Sequence, residues 1–254
     1  MTKNKTLGTM NIATDLIRAL SDIRSGRDWQ SKVGTIPHGD GHSVLVFPGF
    51  MTNDRSTSTL RKRLVSQGYD ARPWDQGINF GQTREKDILH KITDLLKHTY
   101  MESSRKVSLV GWSLGGLLAR EAARCHPEQV RRVICLGSPI GGSPKHTSLW
   151  KVYNIITRLA GRQENVDQLM AQVIKPVEGV HCISIYSDSD GVVPPNIACE
   201  EESPLTENIK VNSSHLGLPF NADVLQIISE RLSQPEINWK PYAQYNAEKS
   251  KQAV

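Results

Sequence analysis

Apolar and polar positions along the 254 residues follow two alternating rhythms. Nearly unbroken apolar, β-branched runs occur at Ser43-Val44-Leu45-Val46-Phe47, Val107-Ser108-Leu109-Val110, Arg131-Arg132-Val133-Ile134-Cys135-Leu136-Gly137 and Val180-His181-Cys182-Ile183-Ser184-Ile185-Tyr186. Such runs predict strands covered on both faces of a parallel sheet. Gly68 to Trp74 adds a short strand and Glu207 to Val211 a last one. Between them apolar residues return every three or four positions. Leu60 and Leu64 within 56–67, Ile88, Ile92, Leu95 and Leu96 within 85–101, and the segments 117–124 and 223–232 predict helices. Strand and helix in turn imply right-handed crossovers and a mostly parallel, doubly wound α/β sheet.

Three stretches stand outside that rhythm. Residues 11–24 place Ile12, Leu16, Leu20 and Ile23 at helical spacing, which predicts an amphipathic helix packed on the domain by its apolar face. Residues 138–178 open with Gly141-Gly142-Ser143-Pro144 and carry two helical patterns, Leu149 to Leu159 and Val166 to Ile174, before the next strand. An insertion there lies over the carboxyl ends of the strands, where ligands bind in such sheets, so it reads as a cap. After Gln234 the chain is polar, with Trp239 and Tyr242 as points where part of it packs. The organisation expected is a helical extension (1–34), one α/β domain (35–234, with the cap at about 138–178) and a polar tail (235–254).

Composition narrows the function classes. No apolar run approaches the ~20 residues of a membrane span, and Met1 to Leu20 lacks the apolar block of a signal peptide. The expectation is a cytoplasmic protein without integral membrane association. The net charge of +5 comes from scattered Lys and Arg with no dense basic block beyond Arg61-Lys62-Arg63, which speaks against nucleic acid as a partner. Cys125, Cys135, Cys182 and Cys199 lie singly, as buried free thiols would. His38-Gly39-Asp40-Gly41-His42 lacks further ligands and reads as a polar turn rather than a metal site.

The chemistry gathers at Gly111-Trp112-Ser113-Leu114-Gly115-Gly116, which joins a strand to a helix. A serine at that junction is held on a strained turn with its hydroxyl raised above the sheet, and its neighbours must be small because strand and helix backbones nearly touch. A neutral hydroxyl is a poor nucleophile, so Ser113 requires a base, and the base requires a carboxylate to orient it. Chain order on this architecture is Ser, acid, His. Of the histidines after Ser113 (His126, His146, His181 and His215), His215 alone follows the strand end at Asp188 to Asp190, and it sits in a loop after the last strand. Asp190, where the chain turns into Gly191-Val192-Val193, is preferred as the acid over Asp188, a turn or supporting residue. Backbone N–H groups of Leu114 and of Phe50, in Pro48-Gly49-Phe50 after the first strand, are the expected oxyanion donors.

Taken together, Gly111 to Gly116, Asp190-Gly191-Val192-Val193, His215-Leu216-Gly217-Leu218 and Pro48-Gly49-Phe50 resemble the α/β-hydrolase superfamily, close to the small bacterial lipases and esterases, over about Ser43 to Leu232. Many relatives carry His-Gly where this chain has Pro48-Gly49; the donor there is main-chain, so the role survives the difference. The resemblance implies cleavage of a small-molecule ester, with no metal or cofactor, and Met51, Trp112, Ile140, Trp150, Val192 and Leu216 as the lining of a pocket for an apolar acyl group. Thioesterase and acyltransferase chemistry use the same acyl-enzyme and stay open as alternatives, as does a non-catalytic ligand-binding protein.

Overall fold

The computed structural model describes residues 12–26, 37–81, 88–141, 175–245 and 247. Its centre is a sheet of parallel strands, β1 (Ser43–Phe47), β2 (Asp70–Pro73), β3 (Val107–Trp112), β4 (Val130–Leu136), β5 (His181–Ser187) and β6 (Thr206–Val211). They lie in the order β2-β1-β3-β4-β5-β6. The helices are α1 (Ile12–Ser25), α2 (Ser58–Ser66), α3 (Ile88–Ser103), α4 (Leu114–Cys125), α5 (Pro195–Ala198) and α6 (Ala222–Ser233). The expected cap falls largely within 142–174, outside the described residues.

Side chains alternate across the sheet because a strand turns successive Cβ atoms to opposite faces. Val44, Val46, Val110, Ile134, Leu136, Ile183 and Ile185 meet Leu60 and Leu64 of α2 and Val224, Leu225 and Ile228 of α6. Leu45, Phe47, Leu109, Val133, Cys135 and Cys182 meet Ile88, Ile92 and Leu96 of α3 and Leu117, Leu118 and Ala122 of α4. Both faces are thus covered, which is why these strands read as continuous apolar runs. Cys135 and Cys182 are buried within this packing, whereas Cys125 is exposed and Cys199 half-buried, so burial is not common to all four thiols as the sequence reading expected.

Register brings the strand ends level. Phe47 pairs with Gly111, Trp112 with Leu136, Leu136 with Ile185, and Ser187 with Val211. The loops that follow β1, β3, β4, β5 and β6 therefore leave from one end of the sheet, and the order reverses between β1 and β3, the kind of point beyond whose strand ends such sheets bind ligands.

The opposite edge is closed by a buried hydrogen-bond chain. His42 Nδ1 lies 2.5 Å from Asp40 Oδ1, and His42 Nε2 lies 2.8 Å from Ser108 Oγ. Burial pushes the His42 imidazole down to about 4, against the pull of the Asp40 carboxylate. The ring is neutral near pH 7: contact with the carboxylate places its proton on Nδ1, and the Ser108 hydroxyl donates to Nε2. Arg105 and Arg131 each donate to Asp40 Oδ2 at 2.7 Å.

The N-terminal helix corrects the expectation drawn from its periodicity. Ile17, Leu20 and Ile23 are 69%, 67% and 41% exposed, while Asp15, Ala19 and Asp22 are buried. The side chains of Ile12 and Leu16 lie outside the described residues. The helix docks by an acidic and small-residue stripe at i, i+4 and i+7, and leaves Ile17, Leu20 and Ile23 to solvent. Beyond α6, Trp239 stacks on His181 with ring centroids 4.5 Å apart, and the guanidinium groups of Arg132 and Arg231 sit 5.0 Å from its centroid.

Candidate active site

Ser113 occupies the junction of β3 and α4 with φ 54 and ψ −120, a left-handed conformation costly for a residue bearing a Cβ. Its N–H donates to Leu136 O at 2.8 Å, which ties the turn to the end of β4. The close approach that the motif implied is present: a Cβ on Gly111 would lie 2.4 Å from the backbone of Gly115. Among the described residues the Ser113 hydroxyl has no hydrogen-bond partner, and its side chain is almost wholly buried.

The acid loop after β5 separates the two aspartates. Asp190 is 1% exposed, its Oδ1 accepts from Val192 N–H at 2.8 Å and Val193 N–H at 2.7 Å, and its Oδ2 faces His215 Nδ1 at 2.8 Å. That contact holds the Nδ1–H tautomer, so the His215 Nε2 lone pair is free to take a proton. Asp188, more than half exposed, pairs instead with Lys210, whose ammonium is held above its ordinary value by that hydrogen bond.

His215 is positioned from several sides. Trp112 Nε1–H donates to His215 O at 3.1 Å, and the two rings lie 5.9 Å apart. Ser187 Oγ accepts from Ser189 N–H at 3.0 Å and Ser213 N–H at 3.2 Å, joining the acid and base loops. Gly137, with φ 54, leaves the space beside the pair empty: a Cβ there would lie 2.9 Å from Asp190 Oδ2 and 3.2 Å from His215 Nδ1. α1 brings Asp15 and Asp22 against the same two loops.

The loop after β1 is pinned by a residue the sequence reading did not single out. Asn79, fully buried, donates from Nδ2 to Pro48 O at 2.6 Å and from its N–H to Thr52 O at 2.8 Å, and its carbonyl accepts Met51 N–H at 2.7 Å. Thr52 Oγ1 closes the turn on Gly49 O at 2.8 Å. Met51 N–H is thereby occupied, while Phe50 N–H and Leu114 N–H find no acceptor among the described residues. No spacing rule links position 79 to position 48; the only local sign is an Asn shortly after the Gln76-Gly77 turn.

Of the residues expected to line a pocket, Met51 is 59% exposed, and Val192 and Leu216 are half-buried beside the acid and base. Trp112 is buried between the core and His215. Ile140, 1% exposed, packs in the core between the sheet and α3 and α4, so it is a core side chain rather than a lining one. Trp150 lies outside the described residues.

Comparison with known proteins fits this geometry. The profile of the PGAP1-like alpha/beta domain matches residues 82–218, more than half of the chain. A pimeloyl-[acyl-carrier protein] methyl ester esterase of Aliivibrio fischeri is 28% identical over 110 residues. That match spans 43% of this chain and 39% of the relative's length. Among solved structures, the mature Bacillus licheniformis lipase BlEst2 superposes with a TM-score of 0.56 at 15% identity, covering 78% of this chain and 94% of the lipase. The Paleococcus ferrophilus monoacylglycerol lipase gives 0.52 at 15% identity, over 77% of this chain and 96% of that one. At such identity the likeness is one of fold, and the fold is that of the α/β-hydrolase superfamily.

Proposed function

The chain belongs to the PGAP1-like alpha/beta domain family, and on that premise we propose that it is a serine hydrolase of carboxylic esters, working through an acyl-enzyme on Ser113. The observation that carries this reading is a serine on a left-handed strand-to-helix turn after β3, at the same end of the sheet as a buried Asp190–His215 pair in the loops after β5 and β6. In this mechanism His215 Nε2 removes the Ser113 proton as Oγ attacks the ester carbonyl. Asp190 keeps the imidazole in the Nδ1–H tautomer and stabilises the imidazolium. The tetrahedral oxyanion is met by Phe50 and Leu114 N–H, two amides without another acceptor among the described residues, one on the loop pinned by Asn79 and one on the strand-to-helix turn at Ser113. The imidazolium then protonates the departing alcohol, and water repeats the sequence on the acyl-enzyme. Val192 and Leu216, half-buried beside the pair, favour an apolar acyl group.

The test is labelling with a fluorophosphonate, mapped by peptide mass, together with hydrolysis of short p-nitrophenyl esters. Labelling at Ser113 and loss of both labelling and turnover in Ser113→Ala, by several powers of ten, is the expected result. Turnover retained in Ser113→Ala, with an unchanged circular dichroism spectrum, excludes the mechanism.

A further inference from the structure

A helix docked for stability alone would bury its apolar stripe, because that removes apolar surface from water. Among the described side chains of α1, Ile17, Leu20 and Ile23 are exposed while Asp15 and Asp22 are buried, and both carboxylates accept hydrogen bonds from the two loops that hold the acid and the base. Asp15, 1% exposed, accepts Gly191 N–H at 3.1 Å and His215 N–H at 3.0 Å on Oδ1, and Leu216 N–H at 3.1 Å on Oδ2. One carboxylate oxygen thus bridges the residue after Asp190 to His215 itself. Two turns on, Asp22 Oδ2 accepts Ser214 N–H at 2.9 Å and Ser214 Oγ–H at 2.7 Å, and its Oδ1 accepts from Asn221 Nδ2 at 2.9 Å. Arg18, between them, donates to Ser189 O at 3.2 Å.

A buried carboxylate persists only where its charge is compensated, and three converging N–H groups compensate Asp15. The same bonds fix the distance between loops that come from different strands. We propose that Asp15 is a positioning residue for the reaction: its carboxylate sets the separation of the acid and base loops and so the Asp190–His215 hydrogen bond, with Asp22 holding the turn beneath His215. The assignment rests on the reading of Ser113, Asp190 and His215 as the reacting constellation.

The experiment compares the full native chain with Asp15→Ala and Asp15→Asn, measuring kcat and KM on a small acetyl ester, the rate of fluorophosphonate labelling, and the proton resonance of His215 Nδ1–H by NMR. Misplacement of the base by a fraction of an ångström lowers kcat and the labelling rate on the order of 100-fold in Asp15→Ala, with KM changed by less than about twofold and the Nδ1–H resonance lost. Asp15→Asn keeps one oxygen for Gly191 and His215 but sets a donor against Leu216 N–H, so it recovers part of the rate and of the resonance, with kcat still several-fold below native. A strut acting only through stability would leave kcat, the labelling rate and the resonance of the folded variants at their native values. If the alanine variant does not fold, Asp15→Asn alone decides, with a kcat several-fold below native at constant KM. Native kcat, labelling and resonance in whichever variant folds overturn the proposal while the functional reading stands. Failure of the native chain to label at Ser113 overturns the functional reading and the proposal together.

Discussion

Asp188 and Asp190 leave the same strand end two positions apart and meet different surroundings. The first reaches solvent and Lys210, and the second is enclosed with His215 and two backbone N–H groups. Under the proposed mechanism, Asp190→Asn preserves the shape of the site but presents an amide N–H to Nδ1, which favours the other tautomer. A fall in kcat on the order of 10⁴ is expected, by analogy with serine proteases. Asp188→Asn removes only a surface ion pair and should change kcat less than about twofold. Ester hydrolysis by the two purified variants decides, and the reverse ranking would move the acid to Asp188. Gly137→Ala should be as damaging as a catalytic substitution although it deletes no functional group, since its Cβ would enter the space within 2.9 Å of Asp190 Oδ2 from a backbone at φ 54. Its kcat, measured where circular dichroism shows the variant folded, checks this. At this scale the sequence carried Ser113, Asp190 and His215 because each follows a strand in a fixed chain order. It did not carry Asn79 or Gly137, whose importance lies in distances between loops far apart in sequence.

Elements were legible in proportion to how completely they are buried. β1, β3, β4 and β5 are apolar on both faces and announce themselves, whereas β2, half-buried at one edge, shows only as a short run between turns. α1 was legible as a helix but not in orientation. Apolar residues at 17, 20 and 23 and the stripe of Asp15, Ala19 and Asp22 both have helical spacing, and periodicity identifies a face without saying which way it looks. Buried charge was equally hidden. Arg120 of α4, fully buried, donates to Glu200 Oε1 at 2.8 Å and to Lys175 O at 2.9 Å, linking the helix behind the nucleophile to the segment after α5. Arg120→Ala leaves the Glu200 carboxylate buried without its countercharge, and a loss of about 3–5 kcal/mol in chemical denaturation is expected. Replacing both partners by apolar residues, Arg120→Met with Glu200→Leu, should recover most of that loss. A double variant as unstable as the single one would place the cost in packing instead.

Across the whole molecule the sheet carries two chains of aspartate, histidine and serine, one at each edge. At the carboxyl ends Asp190, His215 and Ser113 lie in the loops after β5, β6 and β3. At the amino ends Asp40, His42 and Ser108 form a closed staple that joins β1 to β3, with the hydroxyl of Ser108 itself fully buried. The residue types are alike, and the difference is the hydroxyl: that of Ser108 is bonded to His42, whereas that of Ser113 has no partner among the described residues. The staple has titrating consequences instead of chemical ones. His42, enclosed beside Tyr69, Arg131 and Arg132, is held near 4 in the folded chain by burial, against 6.5 when unfolded. Between those values the unfolded chain binds a proton that the folded chain does not, so stability is complete above pH 6.5 and falls as pH drops towards 4. The difference is about 3 kcal/mol over the full window and about 2 kcal/mol between pH 7 and pH 5. His181, held below its ordinary value by burial and then by Arg132, adds in the same sense. Asp40 is held low by Arg131 and His42 despite its own desolvation, so it stays ionised in the folded chain and adds slope in the same sense only near pH 4, where the unfolded carboxylate begins to take up a proton. Urea denaturation at pH 7 and pH 5 should therefore show the native chain losing more stability than His42→Gln, which keeps polar contacts at the staple and cannot titrate. Equal losses in the two proteins would mean that His42 titrates in the folded chain as it does in the unfolded one, and that the staple is open to water.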